Sequence, residues 1–527
     1  MTATTPPAVP PDADALSATR GRVVLILAFF AGMAVLAVEI TAARLLAPFF
    51  GTSTIIWAVV IGLTLLYLSV GYWIGGRWAD RDPREDTLYL IVACAAFLVG
   101  AIPFLARPVL LLSSDAIAAV SGGLFFGSLV GVLLLFAIPL TMLGMVSPFA
   151  IRLLTRDVRQ AGRRAGQVYA LSTVGSILGA FLPVLVFVPA VGTRSTFLIF
   201  AVGLLTLTLL ATRPFARRLA FGALIVILVA LWIFVRPSTV RPEDGLVFEG
   251  ETALNFIQVI DDPERGRRLV LNEGIGTHSL YSPNRLLTDG PWDYFLLAPF
   301  FGLASPAPMD AALIVGLGGG TVSKQFTAIF GPGVRIDGVE LDPAIIALGR
   351  KYFDMNEPNL TAIAEDGRVY LRQTERRYDV VAVDAYRQPY IPFHLTSAEF
   401  FAEVRARLKP TGVVALNAGR TGRDYRLVEV LSSTMRQVFP YVYVLDLPSG
   451  YTNSLIYGAL QPMVEAELKQ RLLAVGNPDL AAVASRGWSL RAVTAPTVVF
   501  TDDLAPVERL IDDIIVREAL QGAGRAR

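Results

Sequence analysis

The sequence predicts two parts: an N-terminal all-α transmembrane bundle of about seven helices, and a C-terminal α/β doubly wound, Rossmann-like domain with a small β-sheet in front of it. Of the 527 residues, 54% are hydrophobic and 17% are charged, which is too apolar for an ordinary soluble protein. Apolar runs of span length fill the first half, and strand-length runs separated by turn residues fill the second.

The composition excludes several classes of function. With 46 basic and 44 acidic residues, the formal net charge is only +2, so no global attraction to nucleic acid is expected. The single cysteine, Cys94, lies in an apolar run, and the chain has two histidines. This leaves no cysteine-based or histidine-rich metal site. We therefore expect no metal and no nucleic-acid partner.

The first half is predicted to cross a membrane. A span needs about 20 mostly apolar residues. Seven apolar segments are candidates, the last two of them short: residues 23–46, 55–75, 88–105, 124–145, 168–191, 197–210 and 219–235. Residues 1–20 are rich in Pro, Ala and Thr and predict a disordered tail without a cleavable signal peptide. The transmembrane domain is placed at residues 21–236.

Arginines are unevenly distributed between these segments. They cluster before the first and after the second, fourth and sixth segments, which by the positive-inside rule predicts a multi-pass protein of the cell membrane with a cytoplasmic N-terminus. Residues 71–81 (GYWIGGRWADR) are similar to a loop of the major-facilitator transporters. Glu39 and Arg44, at an apolar run, are explained either by pairing within the bundle or by a substrate pathway.

The second half begins after a linker, residues 236–245 (RPSTVRPEDG). Alternating β-branched and aromatic residues predict a small antiparallel sheet within residues 237–310. A repeated pattern of strand, glycine loop, helix and strand predicts a parallel sheet over residues 311–460. Residues 461–527 form an extension with a strand-like apolar run at 497–500, and no chemistry is assigned to it.

Glycines and carboxylates end four successive strands of this predicted sheet. In chain order they are Gly316, Gly318, Gly319 and Gly320; Glu340 and Asp342; Glu365, Asp366 and Gly367; and Asp384. The ends of parallel strands meet at one edge, where glycines permit close approach of a ligand. A carboxylate some 20 residues after a glycine loop is placed to accept ribose hydroxyls. The pattern predicts a nucleoside-binding cleft.

The strings that carry these residues resemble the spermidine synthase (polyamine aminopropyltransferase) family. The glycine loop, VELDP, EDG and VDAY follow one another as in that family, and LNFIQV and LNEG are similar to its N-terminal strands. The resemblance covers about residues 250–458. It implies the membrane-fused bacterial type, in which a transmembrane bundle precedes a transferase of polyamine biosynthesis.

The resemblance also implies roles for individual residues. Glu340 would hold the ribose, Asp366 the adenine amino group, and Asp384 would deprotonate the attacking amine. Asn255 would stand in for an early glutamine that contacts the cosubstrate. The remaining cofactor-binding residues would be Gly316, Gly318, Gly320, Asp342 and Gly367. The implied donor is decarboxylated S-adenosylmethionine, and no metal is required.

The sequence departs from the family on the acceptor side. A donor-binding Asp of the glycine loop aligns with Gly318, and a polyamine-binding Asp aligns with Arg387. A Tyr-His-Glu string of the acceptor site is replaced by Tyr294 and Phe295. Because a guanidinium repels a polyamine cation, plain putrescine is not the expected acceptor.

An acceptor with a carboxylate or phosphate group, either a small molecule or a lipid headgroup, suits Arg387 better. Tyr386 and His394 lie near it in sequence and are expected to line the same site with Tyr294 and His278. Each histidine is either a hydrogen-bonded loop residue or a group with an acceptor-positioning or acid/base role. The alternative for Arg387 is a salt bridge to Asp384 or Glu365 in an inactive site.

Two other functions stay open. A methyltransferase that uses S-adenosylmethionine shares this methyltransferase-type sheet, and the missing loop Asp favours a carboxylated donor. The domain could also be a non-catalytic nucleoside sensor on a transporter-like bundle. We expect a homo-oligomer. Seven spans would put the second half outside the cell, whereas adenosyl cosubstrates are cytoplasmic, so the side of the membrane on which it lies is not decided.

Overall fold

The computed structural model describes residues 17–51, 54–117, 123–155, 157–235, 239–272, 274, 276–302, 309–386, 390–448 and 452–523. These residues form two compact units. The first, called here the helical unit, ends at Val240, and the second, the α/β unit, begins at Arg241. The sequence placed this boundary at residue 236.

Helices make up the helical unit: α1 (Ala18–Phe50), α2 (Thr54–Arg81), α3 (Glu85–Ile117), α4 (Gly123–Leu154), α5 (Ala161–Leu182), α6 (Val188–Ala211) and α7 (Phe215–Phe234). Among the described residues, six helical segments are long and apolar enough to cross a membrane. The fifth of them, Val158–Ala211, has 54 residues and contains both the fifth and the sixth predicted spans.

The fifth and sixth predicted spans are separated by a kink. A π-helical turn, Pro183–Phe187, joins α5 to the start of α6, and inside α6 Gly192 leaves helical geometry, with φ 80° and ψ 167°. Glycine adopts this conformation without strain. The segment therefore consists of two helices that meet at Gly192, and at 1.5 Å per residue its 54 residues are enough for two crossings of a ~30 Å bilayer core.

Glycines of the transporter-like string serve helix packing. A Cβ atom added to Gly71 would lie 2.3 Å from the carbonyl oxygen of Thr141, and one added to Gly75 would lie 2.6 Å from Cα of Met145. Only glycine at these positions lets α2 approach α4 so closely. Packing therefore accounts for both glycines.

The α/β unit begins with the small antiparallel sheet that the sequence predicts. Its strands pair in chain order: β1 (Leu246–Glu251), β2 (Phe256–Asp262), β3 (Gly266–Leu271) and β4 (Thr277–Tyr281). A 3₁₀-helix, Pro291–Phe301, follows; all but the first of its residues are buried.

The main sheet has eight strands, in chain order β5 (Ala311–Val315), β6 (Arg335–Glu340), β7 (Leu360–Ala364), β8 (Tyr378–Val383), β9 (Leu408–Gly419), β10 (Tyr441–Asp446), β11 (Asn453–Ala459) and β12 (Ser489–Ala492). Their spatial order is β12-β10-β11-β9-β8-β5-β6-β7. The run from β9 to β7 is parallel. The strand order reverses at β5, so the doubly wound fold is confirmed and its switch point lies at the end of β5.

The helices of this unit are α8 (Thr321–Phe330), α9 (Pro343–Tyr352), α10 (Gly367–Gln373), α11 (Ala398–Arg407), α12 (Arg426–Arg436), α13 (Glu465–Ala474), α14 (Pro478–Ser485) and α15 (Val507–Ala523). The strand-like run at 497–500 forms no strand. Its N–H groups bind side chains of α12 instead: Thr497 N–H donates to Ser433 Oγ at 3.3 Å and Phe500 N–H to Thr434 Oγ1 at 3.0 Å.

Candidate active site

The ends of the parallel strands bring the predicted residues together. Gly316 follows β5, which lies between β6 and β8 in the sheet. The N–H of Asp384, after β8, donates to Val315 at 2.8 Å, and the N–H of Glu365, after β7, donates to the carbonyl of Glu340 at 3.1 Å. The four strand ends therefore form one continuous edge at the switch point.

The glycine loop is shaped by left-handed backbone at Gly316, Gly318 and Gly320, with φ of 89°, 56° and 90°. A Cβ atom on Gly316 would lie 2.5 Å from the carbonyl oxygen of Asp384. Glycine is required there both for the backbone conformation and for the close approach of the two strand ends.

The N–H groups of residues 316–320 all have acceptors within the protein. The first two donate to Val339 O at 2.9 and 3.0 Å, and the others to Glu340 Oε2, Ser279 Oγ and Leu317 O at 2.9, 2.7 and 3.1 Å respectively. A dinucleotide is held by free N–H groups that bind its pyrophosphate. These N–H groups are already used, so the loop suits a nucleoside that carries no phosphate.

Glu340 is at the end of β6 with its carboxylate turned back to the loop. It accepts from the N–H of Gly318 at 2.9 Å and from the N–H of Asp342 at 3.2 Å. Burial raises the pKa of Glu340 above its ordinary value, against the effect of these hydrogen bonds. Two N–H donors leave its oxygens further lone pairs, which could accept ribose hydroxyls.

Asp342 links the two sheets of the unit. Its Oδ1 caps α9 by accepting from Ala344 N–H at 3.1 Å, and its Oδ2 accepts from Thr252 Oγ1 at 2.6 Å and Asn255 Nδ2 at 2.9 Å. Asn255 also accepts from Asn272 Nδ2 at 3.2 Å. Asp342 and Asn255 are thus bonded to each other, and contact of either with a cosubstrate stays a prediction.

Asp366 pairs with the predicted acceptor residue His394. One carboxylate oxygen of Asp366 caps α10, and the other lies 3.0 Å from His394 Nε2. Gly367 is tightly packed, because a Cβ atom there would lie 2.4 Å from Cγ1 of Val315. The position of Gly367 therefore fixes Asp366 against the end of β5.

Asp384 carries a carboxylate that is held by two hydrogen-bond donors. Trp292 Nε1 donates to its Oδ2 at 2.9 Å, and Asn417 Nδ2 donates to its Oδ1 at 2.9 Å. Burial raises the pKa of Asp384 to about 7, and these two hydrogen bonds oppose the rise. A carboxylate with this pKa takes up and releases a proton near neutral pH, as a general base requires.

Comparison with known proteins matches residues 301–470 to the spermine/spermidine synthase domain. A probable polyamine aminopropyl transferase of Bifidobacterium longum is 34% identical over 327 residues, which cover 56% of this chain and 71% of that protein. The chain belongs to the polyamine aminopropyltransferase family. It is therefore a transferase enzyme of the spermidine synthase type.

Polyamine aminopropyltransferase 2 of Aquifex aeolicus aligns over nearly the whole chain, with 23% identity over 499 residues, 91% of this chain and 96% of that protein. Among solved structures, the spermidine synthase of Thermotoga maritima has 20% identity and a TM-score of 0.36, covering 44% of this chain and 78% of that one.

The acceptor residues predicted for this aminopropyltransferase are only partly brought to Asp384. Tyr386 donates from its hydroxyl to the carbonyl of Asn417 at 3.0 Å. Tyr294 is 1% exposed and lies in the hydrophobic core. The contact with Asp384 comes instead from Trp292, two residues before Tyr294.

The two other predicted acceptor residues are His278 and Arg387. His278 lies on β4, and its carbonyl accepts from Ser279 Oγ, the same hydroxyl that binds the glycine loop. Burial lowers the pKa of His278 to about 4, against a smaller effect of the Gly276 backbone, so its imidazole is neutral. Arg387 lies outside the described residues, and its role stays a prediction.

Sequence reasoning missed Trp292 and Asn417. Asn417 lies near the end of β9, the parallel strand next to β8, and Asn453 Nδ2 donates to its Oδ1 at 3.0 Å. For the other four strands, the signal was a polar residue near the end of an apolar strand. Residues 415–419 (ALNAG) show the same signal. No comparable signal marks Trp292, which comes from a segment outside the sheet.

Proposed function

We propose that this family member transfers an aminopropyl group from decarboxylated S-adenosylmethionine to an amine acceptor. The observation that carries the proposal is the carboxylate of Asp384, half-buried at the switch point, oriented by Trp292 and Asn417, with a pKa of about 7. Glu340 and Asp366, on the neighbouring strand ends, would hold the ribose and the adenine amino group.

The reaction needs a neutral amine next to a sulfonium. The amine nitrogen attacks the methylene carbon bonded to sulfur, the C–N bond forms, the C–S bond breaks, and methylthioadenosine leaves with the electron pair. The proton released from the amine goes to Asp384. Its two oxygens each accept one hydrogen bond from the protein, which leaves lone pairs for the incoming ammonium.

The proposed acceptor carries an anionic group in addition to its amine. The family's second polyamine-binding carboxylate is replaced by Arg387, which repels a diamine and attracts a carboxylate or phosphate. His278 is neutral and does not add positive charge. An anionic amine, either free or as a lipid headgroup, fits this charge pattern better than putrescine does.

A second candidate is methyl transfer from S-adenosylmethionine. The observation that favours it is the glycine loop, in which no carboxylate stands ready to bind the amine of a decarboxylated donor. The same strand ends would then serve the adenosine, and Asp384 would deprotonate the methyl acceptor.

The two candidates differ in the nucleoside that they release. Full-length protein in detergent is incubated with either donor, a panel of polyamines, anionic amines and a lipid extract, and the nucleoside product is measured by mass spectrometry. Methylthioadenosine formed from the decarboxylated donor supports aminopropyl transfer. S-adenosylhomocysteine supports the methyltransferase. If neither product is formed, the nucleoside sensor is the better explanation.

We also propose that the helical unit spans the cell membrane with its N-terminus in the cytoplasm. Arginines at both ends of Val158–Ala211 favour two crossings by this long segment and seven in total, whereas a cytoplasmic donor requires six. In a Cys94→Ala background, a single cysteine at exposed Arg423 tests the side. Labelling of whole cells by an impermeant maleimide means seven crossings, and labelling only after lysis means six.

A further inference from the structure

The acceptor loop, defined here as residues 390–397, leads into α11 and lies at the sheet edge. Its His394 lies 3.0 Å from Asp366, which follows β7. Asp384 follows β8, and strands β5 and β6 lie between β8 and β7, so these two strand ends are about 14 Å apart along the edge, at about 4.8 Å per strand. A loop at the ends of strands needs contacts from elsewhere to be ordered.

Arg368 supplies one of those contacts. Its side chain is buried, and it forms two-pronged pairs with Glu403, at 2.8 and 2.9 Å, and with Asp502, at 2.7 and 2.8 Å. Nη1 also donates to the carbonyl of His394 at 2.9 Å. These five hydrogen bonds use all five N–H donors of the guanidinium, an arrangement that lysine cannot reproduce.

The C-terminal extension contacts the loop at further points. Ser397 Oγ donates to Asp502 Oδ1 at 2.5 Å, and the hydroxyl of Tyr390 donates to Asp512 at 2.5 Å. The hydrogen bond from Arg368 lowers the pKa of Asp502 to about 2, so this carboxylate stays charged at neutral pH. Both ends of the acceptor loop, Tyr390 and Ser397, are thus bound to residues more than 100 positions later in the chain.

We propose that Arg368 and Asp502 are positioning residues of the transferase, which hold the acceptor loop in place by fixing His394. The inference rests on the proposed function. It assigns a role in the active site to the C-terminal extension, although Asp502 lies outside the residues 301–470 that match the family domain. Without Asp502, two guanidinium donors of Arg368 and the hydroxyl of Ser397 lose their acceptors.

Asp502→Asn tests the proposal, with Asp503→Asn as the matched control, because Asp503 is the neighbouring exposed carboxylate. Full-length proteins are compared in detergent by hydrogen exchange of the amides in residues 390–397, by steady-state kinetics, and by binding of methylthioadenosine. For Asp502→Asn we expect exchange and the acceptor KM to rise about tenfold, with kcat changed less than about threefold. Methylthioadenosine affinity should stay within about twofold, because its proposed contacts are on the strand ends.

Two further variants separate positioning from folding. Asp502→Glu keeps the charge and should bring the acceptor KM back to within about threefold of the wild type. Arg368→Lys should raise it more than Asp502→Asn does, since three donors replace five. A general loss of stability would lower kcat and methylthioadenosine binding together, and that result would overturn the proposal.

The proposal is also wrong if Asp502→Asn and Asp503→Asn give the same loop exchange and the same acceptor KM. Hydrogen exchange measures the order of the acceptor loop whether or not the enzyme turns over. A wild-type protein that releases no methylthioadenosine from any acceptor therefore counts against the proposed function, while the exchange result decides the loop contact separately.

Discussion

The donor side of the site and its acceptor side differ in how far along the chain their contacts reach. Gly318 binds Glu340, 22 residues later, and Asp366 caps the helix that directly follows it. Asp384, in contrast, is held by Trp292, 92 residues away, and the acceptor loop depends on Asp502, 134 residues from Arg368. The donor side is built by the parallel sheet with support from Ser279 and Asn255, 40 and 87 residues away, whereas the acceptor side also needs Trp292 and the C-terminal extension.

The largest expected effect comes from removing the proposed base. Asp384→Asn keeps the size of the side chain but cannot accept the proton, so kcat should fall by about 10² to 10⁴. Methylthioadenosine binding, measured by calorimetry, should be retained. Asp446→Asn is the control, because Asp446 ends β10 at the same sheet edge and has no assigned role. Equal activity in the two variants would remove both enzyme candidates.

On the donor side, Glu340→Gln should weaken binding more than turnover. The amide nitrogen would face the N–H group of either Gly318 or Asp342, and the charge that accepts the ribose hydroxyls would be lost. We expect the donor KM to rise about 10- to 100-fold. Glu365→Gln, at the next strand end, is the control and should stay within about twofold, since no ribose contact is assigned to it.

The pH dependence tests the long-range contact of Trp292. Since Asp384 must be deprotonated to act as a base, kcat should rise with pH through about 7 and then level off. The hydrogen bond from Trp292 lowers the pKa of Asp384, so Trp292→Phe raises it and moves the rising limb to higher pH. Activity at pH 7 should fall several-fold and recover at about pH 9. An unchanged pH profile would contradict this role of Trp292.

The smallest effect is expected for the link between the two sheets. Asp342→Ala removes the cap of α9 and the contacts to Thr252 and Asn255, and should lower the melting temperature of the α/β unit by about 5 °C. Asn477→Ala removes only the cap of α14 and should cost about half as much. If both variants lower the melting temperature equally, the link between the sheets adds no stability beyond that of the helix cap.

The strand ends of the site could be predicted from the sequence because each of them is set by its own strand. A strand pattern fixes where an edge lies, and the residue that ends each strand then lies on that edge, as Glu340, Asp366 and Asp384 do. The glycine loop, the two sheets and the doubly wound order follow from the same reasoning. Because neighbouring parallel strands end at the same edge, this edge can be predicted without placing distant segments of the chain.

The rest could not be predicted for two physical reasons. Trp292 and Asp502 are brought to the site by the tertiary packing of their segments. The strand and helix periodicity of the sequence does not predict that packing. Apolar runs show where the fifth and sixth spans lie, but they do not show that the two helices meet at a kink at Gly192.

The N–H groups of the glycine loop are all bonded within the protein, and this affects how the enzyme binds its donor. Since every N–H group of residues 316–320 already has an acceptor, the loop does not depend on a nucleoside for its shape. Binding then requires little rearrangement, and most of the interaction energy remains available as affinity. The adenosine site would change little in conformation when the donor binds, and conformational change would be confined to the binding of the amine acceptor.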